Sequence, residues 1–153
     1  MCIRDSFGAE VFATVGSEKK RSLLRDLYQI PDDHIFNSRD TSFATGVMGM
    51  TWGKGVDIVL NCLAGEKLAA SRECIAPYGR FLEIGKKDVD GGGNLAMAPF
   101  SSNVSFHCID MAAIAMERPL WIQKSMKAVM SMIAEGRAHY AQPLHVFGIS
   151  DLE

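Results

Sequence analysis

Two short apolar runs, each stopping at glycine or polar residues, constrain this chain most. They are Gly55-Val56-Asp57-Ile58-Val59-Leu60-Asn61-Cys62-Leu63-Ala64 and Gly79-Arg80-Phe81-Leu82-Glu83-Ile84-Gly85-Lys86-Lys87. Runs of this kind read as buried strands, and open α/β sheets bind their ligands at the carboxyl edge, where such strands end. The pattern predicts an α/β nucleotide-type domain with its site at the ends of these runs.

The chain has 153 residues, 48% of them hydrophobic, enough for one domain with a core. A formal net charge of -2 and a pI near 6.1 give no electrostatic reason to expect nucleic acid or an anionic membrane as a partner. No apolar run approaches the roughly 18 residues of a spanning helix, and the amino terminus lacks the apolar core of a signal peptide. The expected compartment is the cytoplasm. Cys2, Cys62, Cys74 and Cys108 are scattered without a Cys-x-x-Cys pair, so they read as reduced, separately buried thiols. His34, His107, His139 and His145 also lack ligand spacing, and no metal site is expected.

Strand and helix patterns alternate along the chain. Residues 10–15 form a first strand, and Ser17 caps a helix over 18–28 with Leu23, Leu24 and Leu27 inward, stopped at Ile30-Pro31. A short strand at 34–37 leads to Asp40, which caps a helix over 41–51 with Phe43, Val47 and Met50 inward. Strand 56–62 is followed by a helix over 66–75 opened by Gly65, and Pro77 turns the chain into strand 80–84. After the flexible Gly91-Gly92-Gly93 loop, residues 104–109 form an edge strand. Pro119 begins a helix over 119–135 whose Ile122, Met126, Val129, Met130 and Ile133 make an apolar stripe assigned to the core.

Both ends read as cut. Gly8 sits where a glycine closes a helix, and Ser150-Asp151-Leu152-Glu153 is a capping box that opens one. Residues 1–6 fit no element and are read as a non-native leader, leaving 7–153 as the domain segment.

Four ordered blocks carry a resemblance: Gly8 to Ser17, His34 to Phe43, Val56 to Gly65, and Gly79 to Lys87. Through them residues 7–153 resemble the cofactor-binding half of the enoyl reductase domain of fungal highly reducing polyketide synthases, kin of the animal fatty acid synthase enoyl reductase. That group lies in the zinc-free branch of the medium-chain dehydrogenase/reductase superfamily. The resemblance implies a partial Rossmann-like, doubly wound parallel sheet, lacking the first βα unit with its glycine-rich loop. It also implies NADPH as cofactor, an enoyl thioester on an acyl carrier protein as substrate, other synthase domains as partners, and homodimerisation through the 104–109 strand. A segment without the phosphate loop is expected to be inactive alone. A free-standing quinone or alkene reductase of the same superfamily and a non-catalytic scaffold remain as alternatives.

Particular residues follow from the resemblance. Ser17 and Lys20 fall where the adenosine ribose is read; Val15-Gly16-Ser17 puts no acidic residue there, which leaves room for a 2′-phosphate. Their other reading is a helix cap and a solvated lysine. Arg39 is placed toward the same phosphate, or else in an ion pair with Asp40 or Asp33. Asn61 and Leu63 end a strand that faces the cofactor, and Gly85 lets the backbone approach the nicotinamide. Lys86 is a proton donor to the substrate α-carbon, an electrostatic stabiliser of the enolate, or a surface lysine. Asp110 is a second candidate acid.

Overall fold

A computed structural model describes residues 8–138 and 146–151. The leader 1–6, Cys2, His139, His145, Leu152 and Glu153 lie outside the described residues. The chain divides into two compact units, one formed by Val11–Glu117 and the other by the segments Met1–Glu10 and Arg118–Glu153.

In Val11–Glu117 the elements run β1 (Ala13–Val15), α1 (Glu18–Tyr28), β2 (Ile35–Asn37), α2 (Ser42–Met50), β3 (Val56–Asn61), α3 (Glu66–Glu73), β4 (Ile75–Glu83), α4 (Lys87–Asp90), β5 (Ser105–Cys108) and α5 (Met111–Glu117). The strands pair in parallel as two sheets, β1-β2 and β3-β4-β5. A doubly wound sheet has the order 3-2-1-4-5-6. If β1 and β2 are its second and third strands, the fold's first strand belongs between β1 and β3. Among the described residues no strand lies there, so the expected single sheet is found as two parallel pieces with β5 at one edge.

Local chemistry sets the helix ends. Ser17 Oγ accepts from the Lys20 N–H at 3.4 Å, and Gln29 closes α1 in the left-handed region at φ 53°, just before Pro31. Arg21 Nε donates to Asp32 Oδ1 at 2.9 Å, tying α1 to the turn before β2. Asp40 Oδ1 accepts from the Ser42 N–H at 2.9 Å, at the start of α2. Gly55, at φ +83°, lies so close to the next chain segment that a Cβ would stand 2.6 Å from the Cys74 carbonyl oxygen, so only glycine fits at the entry to β3.

Phe43, Ala44, Val47, Ala70 and Cys74 form the core cluster, with Phe12, Phe36, Val56 and Leu63 packed on it. Phe81, in the central strand β4, is fully buried and stacks on Phe106 of β5 at 5.4 Å between ring centroids. Burial raises the Cys74 thiol to about 11, which makes it a packing group.

Several expectations are corrected. β4 begins at Ile75 rather than 80, because Val56 pairs with Ile75 before the register jumps to Ile58 with Arg80, and Pro77-Tyr78-Gly79 bulges between. The Pro77 turn therefore lies inside the strand, with Tyr78 at φ 63°. Leu27 is 51% exposed on α1, and of the described free thiols only Cys74 is buried, Cys62 and Cys108 being exposed. The long helix α6 (Pro119–Ala134), in the other unit, has no buried residue, and Met126 and Met130 of its stripe are 54% and 58% exposed.

Phe81→Ala removes a fully buried ring from the central strand and should cost about 3–5 kcal/mol of folding stability. Trp52→Ala, at a ring 95% exposed, should stay within about 0.5 kcal/mol. Urea denaturation of the two variants checks this; equal losses would mean that β4 does not carry the core.

Candidate functional site

All the sequence-derived site residues lie at or beyond the carboxyl ends of the parallel strands. Gly16 and Ser17 follow β1, Ser38 and Arg39 follow β2, Asn61 ends β3, Gly85 and Lys86 follow β4, and Asp110 follows β5. Parallel pairing produces this convergence, since every strand then leaves the sheet in the same direction.

At the β1-β2 end, Arg39 bends back so that its Nε donates to the Gly16 carbonyl at 2.7 Å, while its own N–H is held by Asn37 Oδ1 at 3.0 Å. Asp40 is taken by Asn37 and Ser42, and Asp33 by His34; among the described residues neither pairs with Arg39. Gly16 lies beside the Ser38 and Arg39 side chains, where an added Cβ would stand 3.4 Å from Ser38 Oγ. Ser17 is a helix cap, as its position implied, and Lys20 lies on the first turn of the helix it caps.

At the β3-β4-β5 end there is a cavity of about 460 Å³, within the usual range for small-molecule sites. Leu63, Gly65, Glu83, Gly85, Lys86 and Phe106 contribute to its wall, and Cys62 and Cys108 open onto it. Two cross-links hold the wall. The Gly65 N–H donates to Asp88 Oδ2 at 2.8 Å, and Arg72 Nη1 donates to the Ala96 carbonyl at 2.8 Å, anchoring the chain beyond Gly93. Asn61 is buried, and its amide is spent on the Leu63 carbonyl and on Glu83 rather than presented to the cavity. Space at Gly85 is tight as well: a Cβ there would meet Glu83 Oε1 at 2.7 Å and the Cys62 carbonyl oxygen at 3.2 Å, so the carboxylate would have to shift.

Lys86 and Asp110, the two candidate acids, form an ion pair through Nζ and Oδ2. The contact raises the Lys86 ammonium and lowers the Asp110 carboxyl relative to their ordinary values, the hydrogen bond between them being the largest cause in each case. Asp110 has a second role beside that of a candidate acid. Its Oδ1 accepts from the Ala112 and Ala113 N–H groups, both at 3.0 Å, making it the cap of α5. The signal was present in Asp110 followed by the helix-favouring Met-Ala-Ala-Ile-Ala-Met-Glu run. Glu83 and Asp88 also went unnoticed in the sequence, because their partners lie 22 and 23 residues away.

Residues 32–153 match the family described as zinc-binding dehydrogenase. The chain is 44% identical over 146 residues to highly reducing polyketide synthase 40 of Fusarium mangiferae, and 47% identical over 146 residues to highly reducing polyketide synthase dmxL2 of a Cryptosporiopsis species. These matches cover 95% of this chain and 6% of each synthase. Among solved structures, the nucleotide-binding subdomain of the enoylreductase domain of PpsC from Mycobacterium tuberculosis superposes with a TM-score of 0.82 at 32% identity, covering 91% of this chain and 76% of that one. CurK enoyl reductase superposes at 0.78 with 34% identity, over 97% of this chain and 43% of that one.

The chain thus belongs to the zinc-binding dehydrogenase family, within the medium-chain dehydrogenase/reductase superfamily. Its relatives there are the enoyl reductase domains of polyketide synthases, and its fold is that of their nucleotide-binding subdomain. Among the described residues no three His, Cys, Asp or Glu side chains gather into a metal-binding group, so the described residues do not fit a zinc ion. No helix among them is long and apolar enough to cross a membrane.

Because Asp110 both caps α5 and pairs with Lys86, the two roles can be separated by substitution. Asp110→Asn keeps a capping oxygen and loses the ion pair, whereas Asp110→Ala loses both, so thermal unfolding should fall in the order wild type, Asn, Ala. A depressed carboxyl stabilises the fold above the ordinary carboxylate range, and that stability is lost as pH falls through the lowered folded value. The advantage of wild type over Asp110→Asn should therefore vanish at strongly acid pH. An advantage that persists there would assign it to something other than this charge.

Proposed function

We propose that this chain is the cofactor-binding part of an NADPH-dependent enoyl reductase domain in a polyketide synthase, reducing an α,β-unsaturated acyl thioester carried on an acyl carrier protein. The observation that carries the reading is the Lys86–Asp110 pair at the carboxyl edge of β4 and β5, with Lys86 on the cavity wall.

The cavity and the strand ends suit a dinucleotide. When bound, the nicotinamide supplies hydride to the substrate β-carbon. Leu63 and Gly85 offer backbone on either side of the cavity, where bulk is excluded at Gly85 by Glu83 and the Cys62 carbonyl. Arg39, its Nε anchored on Gly16, turns the rest of its fork toward the ribose 2′-phosphate, and Lys20 adds charge from the first turn of α1. Ser17, the cap of that helix, lies at the same strand end.

Reduction at the β-carbon leaves an enolate that must be stabilised and then protonated at the α-carbon. Lys86 stabilises the developing charge with its ammonium, held in place by Asp110; donating the proton is its alternative role, and the ion pair works against that role by raising the ammonium. Because the pair raises the lysine and lowers the aspartate, it stays ionised across the neutral range, so the plateau of its pH–rate profile should extend beyond the ordinary limits of both groups.

Turnover belongs to the complete domain; among the described residues no glycine-rich loop opens a helix onto a pyrophosphate site. The other synthase domains are partners in that assembly. β5, paired on one side only among the described residues, is the edge through which two such domains associate, and sedimentation of the complete domain as a monomer would contradict this.

Lys86→Ala in the complete domain should slow reduction by about 10²–10⁴-fold, the range for a positioned general acid, with NADPH affinity nearly unchanged. Lys86→Arg should recover rate only if the role is electrostatic, since a guanidinium hardly releases a proton. Steady-state kinetics reads both variants. A full rate with Lys86→Ala would return Lys86 to an ordinary surface lysine.

A further inference from the structure

One ionisable side chain on the cavity wall takes no part in the chemistry above. Glu83, the last residue of β4, is 2% exposed. A buried carboxylate is costly unless its oxygens are bonded, and both are. Oε1 accepts from the Gly85 N–H at 2.5 Å, and Oε2 accepts from Asn61 Nδ2 at 2.6 Å. Asn61, itself 3% exposed, donates in turn to the Leu63 carbonyl at 2.8 Å.

One chain of bonds thus runs from the Leu63 carbonyl through Asn61 and Glu83 to the Gly85 N–H. It joins the turn after β3 to the turn after β4, the two stretches of backbone that flank the cavity. The main-chain ladder continues beside it, with the Ile84 N–H donating to the Asn61 carbonyl at 2.9 Å and the Ile109 N–H to the Glu83 carbonyl at 2.8 Å. Stability alone does not call for this arrangement, because well-packed apolar groups commonly replace buried ionic ones without loss. What an apolar pair cannot do is fix two backbone turns at a set spacing by directional bonds.

We propose that Glu83 is a positioning residue: its buried carboxylate sets the spacing of the Leu63 and Gly85 turns around the nicotinamide and fixes the turn that carries Lys86. The proposal rests on the reductase reading above. It adds a residue with no contact to the reacting atoms, acting through Gly85 and Asn61. It also gives Asn61 an indirect role, as the link to the Leu63 carbonyl.

Glu83→Gln keeps the shape and replaces one acceptor with a donor. If the new side chain keeps its oxygen on the Gly85 N–H, its amide nitrogen faces the Asn61 amide, donor against donor, and Asn61 can satisfy it only by turning away from Leu63. In the complete domain, Glu83→Gln should weaken NADPH binding about tenfold by fluorescence titration and lower kcat as well, the loss expected for a charge-assisted bond. Adding Asn61→Asp restores an acceptor opposite the introduced amide but leaves the Leu63 carbonyl without its donor, so Gly85 amide exchange should return towards wild type while NADPH affinity stays lowered, a coupling that independent sites would not show.

In this chain without cofactor, the Gly85 amide should exchange with solvent about tenfold faster in Glu83→Gln than in wild type. Should Glu83→Gln fail to fold, Asn61→Ala removes the same link from its other end and is read in the same way. A variant with a lowered Tm but wild-type Kd, kcat and Gly85 exchange would overturn the proposal while leaving the reductase reading intact. A wild-type complete domain that takes up no NADPH would remove that reading and the proposal together.

Discussion

The in-register parallel pairing of β3, β4 and β5 is the constraint on which the rest depends. It aligns Asn61 with Glu83 and Glu83 with Cys108, so that the three chains leave the sheet side by side. Whatever follows these residues must then share one edge. Leu63, Gly85, Lys86 and Asp110 are scattered along the sequence and become neighbours for this reason alone. Phe81, buried in the middle of the sheet and stacked on Phe106, holds that register from below.

Polar bonds finish what the apolar core begins. Hydrophobic burial is non-directional and places strand ends only approximately, whereas the site depends on the direction of particular N–H groups and side chains. Glu83 supplies direction at the Gly85 N–H, Asp88 at the Gly65 N–H, and Asp110 at the start of α5. Asp110 combines two such tasks in one carboxylate: one oxygen orders a helix and the other an ammonium. The exposed pair contributes little to stability, so its effect lies in keeping both groups charged and in place.

Much of this was legible locally. Ser17, Pro31 and the leucines between them predicted a helix over 18–28, and α1 is Glu18–Tyr28. The apolar runs predicted strands whose ends face one way, and the resemblance pointed to the family. What escaped depended on distant partners. Nothing near Ile75 indicates that it pairs with Val56, so β4 read five residues short. Nothing near Glu83 marks it, because Asn61, which makes its burial tolerable, is 22 residues away. The stripe on α6 was periodic enough to suggest core, yet periodicity shows only that one face is apolar, not that anything covers it.

The proposed reading puts the nicotinamide between the Leu63 and Gly85 turns, with the 2′-phosphate at Arg39 and Lys20. A crystal structure of the complete domain with NADP⁺ tests it most directly. The expected result is the nicotinamide ring against the backbone of Leu63 and Gly85, the Glu83–Asn61 link intact behind it, and the Arg39 fork within hydrogen-bond reach of the 2′-phosphate. A dinucleotide bound away from these strand ends, or a 2′-phosphate out of reach of both Arg39 and Lys20, would contradict it.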